Sequence, residues 1–353
     1  MKNRESTLHP LIELTRVRLF EFVRNPGTLF WVFVFPVLLA VALGIAFRNQ
    51  PPKVPKMAVT GSLHGAISAR LSKEKEIGLV EMDEEEARHA LRTGKIDIIV
   101  SADEKVGGVP LLEYHFDPTR PESRHARFVA DSVLQRAFGR VDSIEAEDRE
   151  VTEVGGRYID FLIPGLIGLN IMSSCMWGIG YTVVDSRKRK LLKRFAATPM
   201  NRSHFLLSFI LSRLIFLVAE VAALILFGFL IFKVTVNGSL IGVTLFSVLG
   251  AFAFSGLALL VAARPVNTEV ASGWMNFVML PMWLLSGSFF SYDRFPESMQ
   301  AFIRLLPLTA LNDGLRIVIN EGAPFWTAGA EVIVLLGWGI LGFVIALYSF
   351  RWQ

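Results

Sequence analysis

Apolar and polar positions are segregated along this chain into long blocks. No Asp, Glu, Lys or Arg lies between Asp160 and Asp185, between Lys233 and Arg264, or between Glu269 and Asp293. A hydrocarbon core about 30 Å thick needs about 20 apolar residues in a helix, because only a helix satisfies its own backbone there without water. The pattern predicts six membrane-spanning helices, at about 27–47, 160–184, 204–232, 239–263, 269–292 and 325–350. One long polar block, 48–158, separates the first from the second.

The segments between the spans carry their own patterns. Leu8, Leu11, Ile12, Thr15, Leu19 and Phe22 recur at helical spacing, with Glu13, Arg16, Arg18, Glu21 and Arg24 mostly on the other faces. Such a helix lies flat at a membrane surface. It reads equally as an anchor or as a partner contact. Arg24-Asn25-Pro26-Gly27 then turns the chain into the bilayer. The polar block predicts strands at 57–60, 96–100 and 111–116 and helices at 84–91 and 128–138, a small α/β unit. Its charged end, 139–157, reads as a stalk helix. Residues 281–322 are semi-apolar and broken by proline, the pattern of re-entrant or interfacial helices.

Composition agrees: 52% of the residues are hydrophobic, too many for one soluble domain of 353 residues. The net charge of +4 is unevenly placed. The block 48–158 holds 17 Lys+Arg against 20 Asp+Glu, and the rest holds 19 against 12. Basic charge thus follows the membrane segments, which argues for topology and against nucleic acid. The loop 185–203 has seven Lys/Arg against Asp185 alone, and Arg264 and Arg351 fall on its side. The positive-inside rule then puts both termini and this loop in the cytoplasm, and 48–158 and 293–324 outside. No small-x-small site follows the first span, so a cleavable signal peptide is not expected.

Catalytic motifs are missing. Gly94-Lys95 lacks the earlier glycine of a phosphate-binding loop, the six histidines show no paired spacing, and no GxSxG elbow occurs. Cys175 stands alone, which rules out an internal disulfide. His115 and Asp117 could share a metal, but a solvated strand end is the simpler reading. Glu220 is the notable residue, a carboxylate at the middle of the third span, where its charge costs at least about 2.5 kcal/mol. It either lines a transport path or makes a structural bond between helices. Arg213, seven residues earlier on nearly the same face, is about 10 Å away along the axis, which predicts no direct pairing. Asn170 and Asn276 stand at helix-packing positions. With Phe289 and Phe290 they complete a candidate path or subunit contact around Glu220.

The chain resembles the transmembrane subunit of a type-2 ABC exporter over nearly its whole length. The resemblance rests on Arg24-Asn25-Pro26, Phe35-Pro36 and Ala197-Thr198-Pro199, and on Leu285-Ser286-Gly287-Ser288-Phe289-Phe290. Phe295-Pro296, Leu306-Pro307-Leu308-Thr309 and Gly314-Leu315-Arg316 follow in order. The block between the first two spans is similar to that of the subgroup with a large outer domain. Where that subgroup often has an Asp-rich turn, this chain has Gly61-Ser62-Leu63-His64-Gly65.

The resemblance implies an α-helical polytopic membrane protein with six transmembrane helices, an N-terminal interfacial helix (1–26), and the first span (27–47). It further implies an inserted α/β extracytoplasmic domain with stalk (48–158), and a region 159–353 holding the other five spans and outer re-entrant helices at 293–324. It implies export of an amphipathic or hydrophobic substrate (drug-like, lipid-like or peptide) across a prokaryotic inner membrane. Partners would be a cytoplasmic ATP-binding-cassette subunit holding ATP and Mg, with no cofactor in this chain, and a second permease subunit of the same or another kind. Loop 185–203 would be the coupling helix, through Asp185, Arg187, Lys188, Leu191, Leu192, Lys193, Arg194 and Phe195. Its mix of apolar and basic residues exceeds what a plain positive-inside anchor needs. The alternative is a membrane-anchored scaffold or enzyme acting through its outer domain without transport.

Overall fold

Proline shapes the membrane helices of this protein, whose computed structural model describes residues 10–46, 54–72, 74, 76–104, 110–140, 156–191 and 202–349. In chain order the helices are α1 (Pro10–Val23), α2 (Pro26–Ala46), α3 (His64–Leu71), α4 (Glu84–Arg92), α5 (Pro121–Ala137) and α6 (Tyr158–Lys188). They continue with α7 (Arg202–Phe232), α8 (Leu240–Ala262), α9 (Thr268–Leu285), α10 (Glu297–Arg304), α11 (Pro307–Ile319) and α12 (Gly329–Ser349). Among the described residues five are long and apolar enough to cross a membrane: α2, α6, the Leu211–Phe232 part of α7, α8 and α12. The chain is a mostly helical, polytopic membrane protein. The sixth expected span, 269–292, is helical only to Leu285. Glu269, Ser272, Asn276 and Pro281 dilute its apolar content, and it does not reach the apolarity of the other five.

The fold divides into two compact units, residues 1–49 with 151–353, and residues 50–150. In the first, α8 sits centrally, against α6, α11 and α12. Its closest approach is to α12, where a Cβ on Gly256 would meet Gly339 O at 2.7 Å, so only glycine lets these backbones touch.

Three prolines lie inside these helices, Pro36, Pro164 and Pro281, and each lacks the N–H that would serve the carbonyl four residues back. At the first two a side chain from elsewhere in the bundle takes its place. Pro36 in α2 frees Val32 O, and Asn170 Nδ2 from α6 donates to it at 3.2 Å. Pro164 in α6 frees Asp160 O, and Asn320 Nδ2, just beyond α11, donates to it at 3.0 Å. A carbonyl facing hydrocarbon cannot turn to water, so neighbouring helices supply the donor.

The second unit is a four-stranded sheet of β1 (Lys56–Thr60), β2 (Gly78–Val80), β3 (Ile98–Glu104) and β4 (Pro110–His115), in the order β2-β1-β3-β4. β1 runs parallel to β2 and β3, while β4 pairs antiparallel with β3. Met57, Val59, Ile98, Val100 and Ala102 pack on α3 and α5, and Ala58 and Ile99 face Ala87 and Ala90 of α4 on the other side. Asp83 starts α4 by accepting from the Glu86 N–H at 2.7 Å. The structure adds α3 and β2 to the sequence pattern and begins α5 at Pro121. Three residues of β2 and the two buried apolar residues of α3, Ile67 and Leu71, are too few to register as a period.

Candidate functional site

Three polar clusters in the helical unit bear on function, and the first corrects the sequence. Arg213 and Glu220 pair directly, Nη1 to Oε1 at 2.8 Å and Nη2 to Oε2 at 2.5 Å. Side chains lean toward the helix N-terminus, which aims Glu220 back along α7, and the long guanidino arm covers the remaining distance. Axial rise alone underestimated that reach. Arg213 Nη2 also donates to Ser174 Oγ of α6, and that hydroxyl donates to Asn170 O at 2.5 Å. Both charged side chains are buried, 6% and 1% exposed, and they tie α6 to α7.

The second cluster is the end of α6. Arg187 is buried and turned inward, donating to Ala262 O at 2.9 Å, Ala263 O at 3.2 Å and Pro265 O at 2.6 Å. Those are carbonyls at the C-terminal end of α8, which lack helical partners and carry its negative dipole end. Arg187 therefore does not present itself outward as the expected coupling set implied. Lys188 Nζ reaches Thr268 Oγ1 at 3.2 Å and lies 3.6 Å from Glu269. Asp185 pairs with Arg189 at 2.8 Å. Leu191 is half-buried, and Leu192, Lys193, Arg194 and Phe195 lie outside the described residues. The N-terminal helix α1 packs on α7, with Phe22 stacked on Phe216 at 3.8 Å and Arg18 Nε bonded to Ser208 Oγ at 3.0 Å. Arg18, which the pattern placed off the apolar stripe, lies in the contact, and burial pulls its guanidinium down to about 10.

The third cluster follows α9. Gly287 takes φ +73, a left-handed turn that ends the helix, and its carbonyl accepts from Arg316 Nη2 at 2.5 Å. Asn312 Nδ2 donates to Ser288 Oγ at 2.8 Å and Ser286 O at 3.3 Å. Tyr158 OH donates to Phe289 O at 2.9 Å, and Tyr292 OH donates to Asp313 Oδ2 at 3.0 Å. Burial and the Asp313 carboxylate push Tyr292 up to about 12, so its hydroxyl stays a donor. Phe289 packs partly into the core, and Phe290 stands partly exposed near Phe295.

The structure thus brings Asn170 and Glu220 into one knot and leaves Phe289, Phe290 and Asn276 elsewhere. Asn276 is exposed on α9 beside Trp274 and Phe277, with no side-chain hydrogen bond among the described residues. The sequence missed the capping role of Arg187 and the part of Asn320. Pro164 signalled an open carbonyl but not its donor.

Residues 26–348 match the family described as ABC-2 family transporter protein. Over 202 residues the chain is 28% identical to ABC transporter G family member 20 of Dictyostelium discoideum, a match covering 55% of this chain and 27% of that protein. Over 205 residues it is 24% identical to the inner membrane transport permease YadH of Escherichia coli (strain K12), covering 56% of this chain and 75% of that protein. The chain therefore spans about a quarter of the first of these relatives and three quarters of the second.

Proposed function

The chain belongs to the ABC-2 transporter family, and from that premise we propose that it is the permease subunit of an exporter driven by a separate cytoplasmic ATPase. Its cargo is an amphipathic or hydrophobic molecule moved outward across a prokaryotic inner membrane. Both termini and loop 185–203 face the cytoplasm, residues 48–158 lie outside, α9 serves as a sixth span, and α10 and α11 are re-entrant. The ATPase docks on loop 185–203, with ATP and Mg held on that partner. A second permease subunit packs on the exposed side of α9, where Asn276 has no side-chain hydrogen-bond partner among the described residues.

The observation that carries this reading is the anchorage of the root of the loop. Arg187 and Lys188 join the end of α6 to the end of α8 and the start of α9. A push on the loop is thereby delivered to three helices at once, which a mere charge anchor does not require.

Affinity purification of the tagged chain from its host membranes tests the reading. An ATP-binding-cassette ATPase should copurify, and reversing Lys190, Lys193 and Arg194 to Glu should remove most of it. Arg187 stays untouched in that variant because it faces inward. Cysteine labelling must confirm that the variant keeps its topology, since the same charges orient the chain. Retention of the ATPase by a correctly inserted variant would reduce the loop to an anchor. Finding no ATPase with the wild-type chain would favour a scaffold.

A further inference from the structure

The sheet of residues 50–150 is covered unequally. α3 and α5 pack on one face, whereas α4 alone packs on the other, over Ala58 and Ile99. Beside α4 lie Thr60, Ser101 and His115, from three neighbouring strands. Thr60 pairs with Ser101, and Ile99 with His115, so strand alternation turns all of them to the α4 side. They floor a cleft of about 340 Å³ walled by Arg88, Leu91 and Arg92 of α4.

The place and the chemistry both point to a ligand. The chain crosses one face of the sheet between β1 and β2 and the opposite face between β2 and β3. The winding therefore reverses between β1 and β3. Open α/β sheets bind ligands at such a point, outside the carboxyl ends of the strands. The cleft reaches that end at Thr60, the last residue of β1, and runs from there across the sheet face to Ile99 and His115 near the amino end of β3.

Two acids, Glu84 and Asp117, also line the cleft, and each acid near it has a hydrogen-bond or ion-pair partner. Glu84 holds Arg88 at 2.6 Å, Asp103 accepts the Ser62 N–H at 3.0 Å, and Glu113 lies 3.9 Å from His115 Nε2. Asp117 accepts from the Thr119 hydroxyl at 2.6 Å and its N–H at 2.9 Å, which holds its carboxyl below the usual range. Arg92 is different. Among the described residues it has no carboxylate partner, and its guanidinium meets only His89 Nδ1, at 3.4 Å. The hydroxyls of Thr60 and Ser101 likewise have no hydrogen-bond partner among the described residues. No group of three His, Cys, Asp or Glu gathers among those residues, so the cleft lacks a metal-ligand set.

We propose that this cleft binds a small solute through a phosphate or carboxylate group. The guanidinium of Arg92, without a carboxylate partner among the described residues, takes two of the anion's oxygens in its planar fork, and the Thr60 and Ser101 hydroxyls donate to what remains. The apolar wall at Leu91 accommodates a short carbon skeleton attached to the anion. The site lies wholly within residues 50–150 and does not depend on the transport reading.

The test uses the full chain in phosphatidylcholine nanodiscs and calorimetric titration with inorganic phosphate, glycerol 3-phosphate and succinate. At least one probe should bind saturably, and Arg92→Gln should weaken it tenfold or more. Arg70→Gln removes an exposed arginine on the opposite face and should leave binding unchanged. Thr60→Val with Ser101→Ala should weaken binding severalfold without touching a charge. Preference for glycerol 3-phosphate over inorganic phosphate assigns the site to a lipid headgroup or a similar phosphoester, and the reverse assigns it to the free anion. The proposal is overturned if no probe binds at millimolar concentration. It is equally overturned if Arg92→Gln and Arg70→Gln weaken binding alike, since that signals only general charge attraction.

Discussion

Glu220 and Arg213 sit in one helix, two turns apart, and neutralise each other before any neighbour is considered. A carboxylate and a guanidinium that cross the bilayer as a bonded unit avoid much of the cost each carries alone. The stability of the pair is conditional. Removing one member of a buried pair costs about 3–5 kcal/mol because the other is left charged and unpaired, whereas replacing both with apolar residues is often neutral. Glu220→Leu should therefore lower the unfolding midpoint of the detergent-solubilised chain sharply, and Arg213→Leu with Glu220→Leu should restore most of the loss. A single Leu variant as stable as wild type would show that the pair contributes nothing. The seven-residue spacing placed both side chains on one face in the sequence. Their contact was not legible, because it depends on how far the two side chains lean and reach along the helix.

At the scale of elements, hydropathy located the long helices well, since a bilayer fixes their length and a long apolar run can satisfy its own backbone there only as a helix. It could not locate what completes them. Val32 O and Asp160 O receive donors 138 and 160 residues away in sequence, and no local pattern encodes a separation of that size. Asn170→Ala should cost about 0.6–2 kcal/mol, the range for hydrogen bonds between membrane helices. In a Pro36→Ala background, whose restored N–H can serve Val32 O, the same change should cost clearly less. A double-mutant cycle on unfolding free energies measures that coupling. Strict additivity would mean that Asn170 acts independently of the proline. The softer end of α9 belongs to the same scale: Ser286-Gly287-Ser288 reads as apolar enough to continue a span, and only the Gly287 turn with its Arg316 and Asn312 bonds shows why the helix stops at Leu285.

At the scale of the whole molecule, charge asymmetry is what carries the proposed orientation, because orientation is set by a few cations near span ends. Cysteines at Ala66, exposed in the 50–150 unit, and at Arg264, exposed beyond α8, should report it in a Cys175→Ala background. In intact cells a membrane-impermeant maleimide should label the first and reach the second only after permeabilisation. Labelling of both, or the reverse order, would overturn the proposed topology. The bond from Asn170 to Val32 carries a further consequence, one of timing. Chains are synthesised at about 5–20 residues per second, so Asn170 emerges roughly 7–28 seconds after Val32. Through that interval the proline-freed carbonyl of the first span is still without this donor. All of the 50–150 unit is made meanwhile, and the oldest helix of the bundle is finished only by one of the younger ones.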